Sequence, residues 1–260
     1  MITISNIGAK EEPYPMLGNV WDFFSTKGTK TVFVSVGTGN TCLPELDFAE
    51  TIGCKILKLD TPETSKKWTE VADVLKTRKV TDETSEFAKM ASRKWVLPKN
   101  LIIHETIPSY HNGTITVDGT TLQTRSWSDI LEEYCTKTIG LHPEDVHIDL
   151  LKIDSCPFDD QVLSSLFASG FRPSLLLINW NSTPDTDMHS MNTAAHLQMM
   201  GYALVGKEDS RFLYYYTDVN YYETCSWEKV ANKFENPLMR ELVRSIYPGT
   251  EGVVLFPKVE

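Results

Sequence analysis

Residues 31–36 form a nearly unbroken apolar run that stops at Gly37-Thr38-Gly39-Asn40, which predicts a buried strand entering a tight turn. Similar short runs at 55–59, 101–104, 146–154 and 174–179 predict further strands, the last almost wholly apolar as befits the centre of a sheet. Between them the apolar positions recur with helical period. Leu46, Ala49 and Ile52 mark a helix over 44–52 that Pro44 opens and Gly53 stops; Trp68, Val71, Ala72 and Leu75 mark one over 64–76. Phe87, Met90, Ala91 and Trp95 predict a helix over 82–95, and Val162, Leu163, Leu166 and Phe167 one over 158–169 that ends at Gly170. A further helix is expected over 189–200.

Turn chemistry fills the gaps. Asn112-Gly113 and Asp118-Gly119 flank the strand-like 114–117 and predict a small antiparallel excursion, and Ser126 with Asp129 has capping-box spacing ahead of Ile130, Leu131 and Tyr134. Segments 202–206 and 211–217 read as a hairpin closing the sheet edge, and 226–246 as two amphipathic helices split at Pro237. Alternating strands and helices with a terminal hairpin describe an α/β fold: a doubly wound, mostly parallel sheet of seven strands whose last strand runs antiparallel. The β-hairpin insertion interrupts it, residues 1–30 precede it, and a C-terminal helical extension over 218–260 follows.

The chain has 260 residues and no Pro-, Gly- or Ser-rich linker, so a single domain over 1–260 is expected. A formal charge of −10 disfavours nucleic acid as the main partner, and the basic stretch 66–99 reads as a solvated helix face. Five cysteines with no Cys-x-x-Cys spacing suggest neither a disulfide framework nor a zinc ribbon, but a reducing interior. Neither a leader-like segment nor a membrane-length apolar run is present, so a soluble, cytoplasmic chain with no membrane partner is expected.

The candidate chemistry centres on the turn after the first strand. Gly37 and Gly39 admit a ligand against bare backbone, and Asp60, twenty-one residues after Gly39, ends the next strand where a carboxylate accepts hydrogen bonds from ribose hydroxyls. That layout holds an adenosine-bearing cofactor. A nicotinamide reading is weaker, because Cys42 takes the place of a third glycine. Asp154 ends a hydrophobic strand beside the expected switch point, where a buried carboxylate without a task is costly. Asp185, Asp187 and His189 have ligand types at close spacing, but capping of the next helix is the stronger reading and no metal site is assigned. His104 reads as a structural histidine, the aromatic run 212–216 as edge-strand packing, and Trp21, Phe23 and Phe24 as core.

The chain resembles the FkbM family of S-adenosylmethionine-dependent methyltransferases over about residues 30–217. The resemblance rests on Val36-Gly37 in the first turn, Asp60-Thr61-Pro62 after the second strand, Arg125-Ser126-Trp127-Ser128-Asp129-Ile130-Leu131 closing the insertion, and Leu151-Lys152-Ile153-Asp154 in the fourth strand. It implies a class I methyltransferase (Rossmann-like) fold, with S-adenosylmethionine held by Ser35, Gly37, Thr38, Gly39, Asn40 and Asp60. Asp154 and Asp159 become the catalytic candidates, and the acceptor is expected to be an oxygen of a small molecule or sugar. The chain departs from the family pattern where Ser35 replaces an aspartate, Thr41 replaces a glycine and Ser155-Cys156-Pro157-Phe158 replaces Val-Glu-Gly-Ala. The alternative reading is a catalytically inactive methyltransferase fold serving as a binding or scaffold protein.

Overall fold

A computed structural model of the chain describes residues 4–9, 12–17, 20–37, 43–77, 79, 101–117, 119–155, 158–180, 196–216, 222–225, 237 and 254–257. Seven strands build the central sheet: β1 (Phe33–Val36), β2 (Ile56–Asp60), β3 (Leu101–Glu105), β4 (Leu150–Ile153), β5 (Leu175–Asn179), β6 (Tyr202–Glu208) and β7 (Arg211–Tyr216). Their order across the sheet is β3-β2-β1-β4-β5-β7-β6, parallel except that β7 pairs antiparallel with both β5 and β6. This is the strand order of class I methyltransferases. The chain starts at β1, winds outward to β3, then returns to β4 on the other side of β1, so the order reverses between β1 and β4.

Four helices lie where period and turn chemistry place them, α2 (Leu43–Ile52), α3 (Pro62–Thr77), α4 (Trp127–Leu131) and α5 (Asp159–Ala168), and a fifth that was not expected, α1 (Val20–Lys27), precedes β1. Ser126 caps α4 as its spacing predicts, its Oγ accepting from the Asp129 amide at 3.2 Å. The helix then continues as π-helical turns over Glu132–Ile139 and stops at Gly140, whose φ of 79° suits a residue without a Cβ. Trp127 anchors α4 to α5 by donating its indole N–H to Ser165 Oγ at 3.0 Å. In the insertion, Gly113–Val117 pairs antiparallel with Thr120–Ser126, and Ile107–Ser109 adds a parallel strand beside it.

Each sheet face buries its own core. Val32, Val34, Val36, Leu57, Leu59, Leu151 and Ile153 pack with α4 and α5, while Phe33, Ile56, Leu150, Leu175 and Leu177 pack with α1, α2 and an N-terminal hairpin (Ile4–Ala9 and Glu12–Leu17). Burial on both faces explains why the strands read as continuous apolar runs. Phe24 of α1 is part of this core, edge-on to Phe48 with ring centroids 5.2 Å apart.

Three features depart from the sequence reading. The N-terminal residues form a hairpin, with Ile7, Tyr14 and Met16 buried against the sheet. The aromatic run of β7 lies second from the edge, because β7 inserts between β5 and β6 and leaves β6 outermost. Inside the C-terminal extension, Tyr222–Cys225 and Val254–Pro257 pair as antiparallel strands. The helices expected over 82–95 and 226–246 fall outside the described residues except for Pro237.

At the N-terminal edge of the sheet, Lys27 of α1 lies 2.5 Å from Asp149 Oδ1, and His147 Nε2 lies 2.8 Å from Lys27 Nζ and 3.1 Å from the same carboxylate. One ring nitrogen cannot both accept from Lys27 and donate to Asp149, so the cluster changes hands as His147 titrates. The hydrogen bond to Asp149 raises His147 above its ordinary value; burial would raise Asp149, but His147 and Lys27 outweigh it and lower it. The His147 contribution is therefore complete below about pH 6.5 and fades as pH rises through the raised folded value, whereas that of Asp149 fades only in acid. His147→Gln is expected to flatten the decline of stability above neutrality. The effect should stay within about 1 kcal/mol, since the imidazole is 39% exposed; urea midpoints from pH 6 to 9 check it.

Candidate active site

The strand sequences Ile56-Leu57-Lys58-Leu59-Asp60 and Leu150-Leu151-Lys152-Ile153-Asp154 share one pattern, two aliphatics, lysine, aliphatic, aspartate. Alternation along a strand puts the lysine and the aspartate on the same face. Here it is the face covered by α2 and the N-terminal hairpin. Ser35 of β1 is in register with Lys58 on one side and Lys152 on the other, so a polar row crosses three strands in the middle of the sheet. Both lysines are fully buried.

Glu45, from the first turn of α2, lies against this row and is itself fully buried. Its Oε1 accepts from Ser35 Oγ at 2.6 Å and lies 3.2 Å from both Lys58 Nζ and Lys152 Nζ. Lys58 also donates to Ser35 Oγ at 3.0 Å and to the Gly37 carbonyl, and stands 3.8 Å from Asp60 Oδ2. Lys152 stands 3.5 Å from Asp154 Oδ2. The arrangement is a bracket: one glutamate, two lysines, and an aspartate at each strand end. It also supplies in space the carboxylate that Ser35 does not carry.

The charges respond to this crowding. Burial would raise the Glu45 carboxyl, but the two ammonium groups and the Ser35 hydroxyl outweigh it and hold it below the usual range. Burial lowers Lys58, with the like charge of Lys152 adding to it, while Lys152, also penalised by burial, is carried above its ordinary value by Glu45, Tyr14 and Asp154. Lys152 is thus the firmly charged member of the pair.

Gly37 follows β1 with φ of 74°, and its amide donates to the Leu59 carbonyl at 3.0 Å. A Cβ here would overlap the Asp154 carbonyl oxygen and come within 2.5 Å of Ser155 Cα. The close approach that demands glycine at this position is therefore with the end of β4, the protein's own backbone. Thr38, Gly39 and Asn40 lie outside the described residues, as do Cys156, Pro157 and the Asp185, Asp187, His189 segment. Among the described residues no cluster of His, Cys, Asp and Glu is placed to hold a metal ion.

Asp60 is buried at the end of β2, its Oδ1 accepting from the Thr61 amide at 3.0 Å. Asp154 is buried beyond the end of β4 and both of its oxygens are engaged. Tyr14 of the N-terminal hairpin donates its hydroxyl to Oδ2 at 2.7 Å, and Asn179 Nδ2 donates to Oδ1 at 3.3 Å. Ser210 extends the chain by donating to Asn179 Oδ1 at 2.6 Å. The Tyr14 ring carries Lys152 Nζ at 5.2 Å and the Arg211 guanidinium at 4.9 Å from its centroid. Asp159 opens α5, and its Oδ1 accepts from both the amide and the hydroxyl of Ser155 at 2.8 Å. Burial leaves its carboxyl raised despite those bonds.

The structure thus gathers Gly37, Asp60, Asp154 and Asp159 at the C-terminal edge of β1, β2 and β4, and buries Ser35 one layer below them in the polar row. Sequence reasoning missed Glu45, Lys58, Lys152 and Tyr14. The repeated lysine-aliphatic-aspartate pattern was a usable signal for the two lysines: an unpaired lysine in an otherwise apolar, doubly covered strand needs a buried acid. Tyr14 had no such signal. His104 lines a separate open cleft of about 410 Å³ beside β3, with Ile103, Glu105, Thr106, Gln123 and Arg125. Arg125 donates there to Glu133 Oε2 at 2.9 Å.

No protein-family model matches the chain, and no curated protein matches it. Among solved structures it is similar to a chain of the fibrillarin/Nop5p complex at 8% identity and a TM-score of 0.35, over 73% of this chain and 74% of that one. It is also similar to human methyltransferase-like protein 13 in complex with SAH at 9% identity and a TM-score of 0.37, over 90% of this chain and 91% of that one. The fold is read from the strand order and the reversal between β1 and β4.

Proposed function

We propose that the chain is an S-adenosylmethionine-dependent methyltransferase of the FkbM type, acting on an oxygen of a small molecule or sugar. One observation carries the reading: two carboxylates, Asp60 at the end of β2 and Asp154 just beyond β4, lie on either side of Gly37 after β1, at the point where the strand order reverses. The charge balance fits a cationic cofactor. Among the described residues of the bracket, the three acids Glu45, Asp60 and Asp154 face the two lysines Lys58 and Lys152, which leaves an excess of negative charge beneath the crevice.

In this reading Asp60 accepts hydrogen bonds from the ribose hydroxyls, and Ser35 together with the backbone of Gly37, Thr38, Gly39 and Asn40 forms the floor of the site. When bound, S-adenosylmethionine supplies an electrophilic methyl group on a sulfonium. What the chain adds is position, exclusion of water and a place for the acceptor's proton. Asp154, fixed by Tyr14 and Asn179, serves as a stationary negative charge. Asp159 serves as the proton acceptor, because burial makes its carboxyl more basic than usual.

A second reading, a methyltransferase fold kept as a non-catalytic binding module, is favoured by one contact: the Tyr14 hydroxyl occupies Asp154, so the protein's own side chain stands at the end of β4. The two readings part on turnover, since only an enzyme converts the cofactor to its demethylated form when acceptors are present. The site itself is tested by Asp60→Asn. Loss of charge-assisted bonds to the ribose is expected to weaken S-adenosylmethionine at least about tenfold, measured well below the variant's own melting temperature because the substitution also removes a negative charge 3.8 Å from buried Lys58. Equal affinity of the two chains by calorimetry would remove Asp60 from the site.

A further inference from the structure

The bracket of Glu45, Lys58 and Lys152 is more elaborate than packing requires. A buried ion triad is often replaced by apolar residues of similar volume without loss of stability, so its presence in the middle of the sheet calls for another reason. Its connections give one. Lys58 reaches from Glu45 to Asp60 at one strand end, and Lys152 reaches from the same Glu45 oxygen to Asp154 at the other. Lys58 in addition holds the carbonyl of Gly37, the residue that starts the turn between them. Tyr14 and Asn179 complete the hold on Asp154, and Ser35 fixes the shared oxygen of Glu45 from the strand below. Among the described residues neither Glu45 Oε2 nor Lys152 Nζ has a hydrogen-bond partner although both are buried, and Ser35, Lys58 and, as an ion pair, Lys152 converge on Glu45 Oε1. A carboxylate kept on one oxygen between two cations acts as a spacer between them.

We infer that Glu45 is a positioning residue for the crevice: through its two lysines it sets Asp60, Asp154 and the Gly37 turn in one frame, without itself touching the cofactor. The inference rests on the reading that the crevice binds S-adenosylmethionine. It makes α2, the helix that follows the turn, the source of the carboxylate that β1 lacks at Ser35. Moving that carboxylate back onto the strand should then preserve the frame, because the Ser35 hydroxyl lies 2.6 Å from the Glu45 oxygen it would replace.

The test uses the full chain in three forms, unsubstituted, Glu45→Gln, and Glu45→Gln with Ser35→Asp. Each is titrated with S-adenosylmethionine by calorimetry well below its own melting temperature. Glu45→Gln keeps the shape and one acceptor but removes the charge that balances two lysines, and it is expected to weaken the cofactor at least about tenfold. The double variant is expected to regain most of that loss, a rescue that a purely packing role would not produce. Should Glu45→Gln alone fail to fold, the double variant still decides: a folded double variant with unsubstituted-like affinity supports the inference, and one that melts normally yet binds at least about tenfold more weakly overturns it. Equal affinity of Glu45→Gln and the unsubstituted chain overturns the inference alone. The absence of saturable binding by the unsubstituted chain overturns the functional reading and the inference with it.

Discussion

Glu45→Ala is expected to cost about 3–5 kcal/mol of folding stability, a large part of what a domain of this kind possesses. The reason is charge rather than volume. With the carboxylate gone, two fully buried ammonium groups lose their common partner, and among the described residues the nearest remaining carboxylates are Asp60, 3.8 Å from Lys58, and Asp154, 3.5 Å from Lys152. Lys58, already pushed down by burial and by Lys152, would shed its proton first. The truncated variant should therefore lose less stability at high pH than near neutrality. Urea unfolding followed by tryptophan fluorescence at pH 7 and pH 9.5 measures this, and a loss below about 1 kcal/mol at pH 7 would mean that the bracket is solvated rather than buried.

Gly37→Ala is expected to have the second large effect, and Gly53→Ala is its control. Both glycines have φ of 74°, so an alanine pays the same left-handed backbone cost at each, about 1–2 kcal/mol. Their surroundings differ completely. Nothing lies within 4 Å of a Cβ built on Gly53, whereas one built on Gly37 runs into the backbone of Asp154 and Ser155. Backbone cannot rotate aside as a side chain can, so β1 and β4 must separate. The Gly37 variant should lose at least about 2 kcal/mol more than the Gly53 variant, by differential melting of the two. Similar losses would show that the turn relaxes freely. This contrast also bears on the site, because a Gly37 substitution removes binding by deforming the fold and reports nothing specific about the cofactor.

Much of this architecture was legible in the chain. The apolar runs at β1, β2, β4 and β5 announced strands covered on both faces, because a strand with no wet face carries no alternation. Helix α5 and the capped start of α4 followed from period and turn chemistry, and the antiparallel last strand from the hairpin reading of 202–217. The insertion of β7 between β5 and β6 was not legible, since a hairpin looks the same in sequence whichever of its strands lies outermost. The N-terminal hairpin was missed for a related reason. Ile4–Ala9 and Glu12–Leu17 are short, contain Pro13 and Pro15, and become strands only by pairing with each other and covering the sheet.

The site was legible in its strand-end carboxylates and illegible in its supports. Asp60 and Asp154 stand out because each ends an apolar run. Glu45 does not, since a glutamate in the first turn of a helix is ordinary, and only the tertiary fold turns it towards the sheet between two lysines. Gly37 carries a structural demand that its type alone does not reveal. Its type signals bare backbone, and in the fold the Asp154 carbonyl also occupies the space that a Cβ would need.

Calorimetric titration of the unsubstituted protein with S-adenosylmethionine, repeated on Asp60→Asn, decides whether the ends of β1 and β2 bind an adenosyl sulfonium. One saturable site per chain is expected, weakened at least about tenfold by the substitution. Absence of binding to the unsubstituted chain, or identical binding by both, would contradict this.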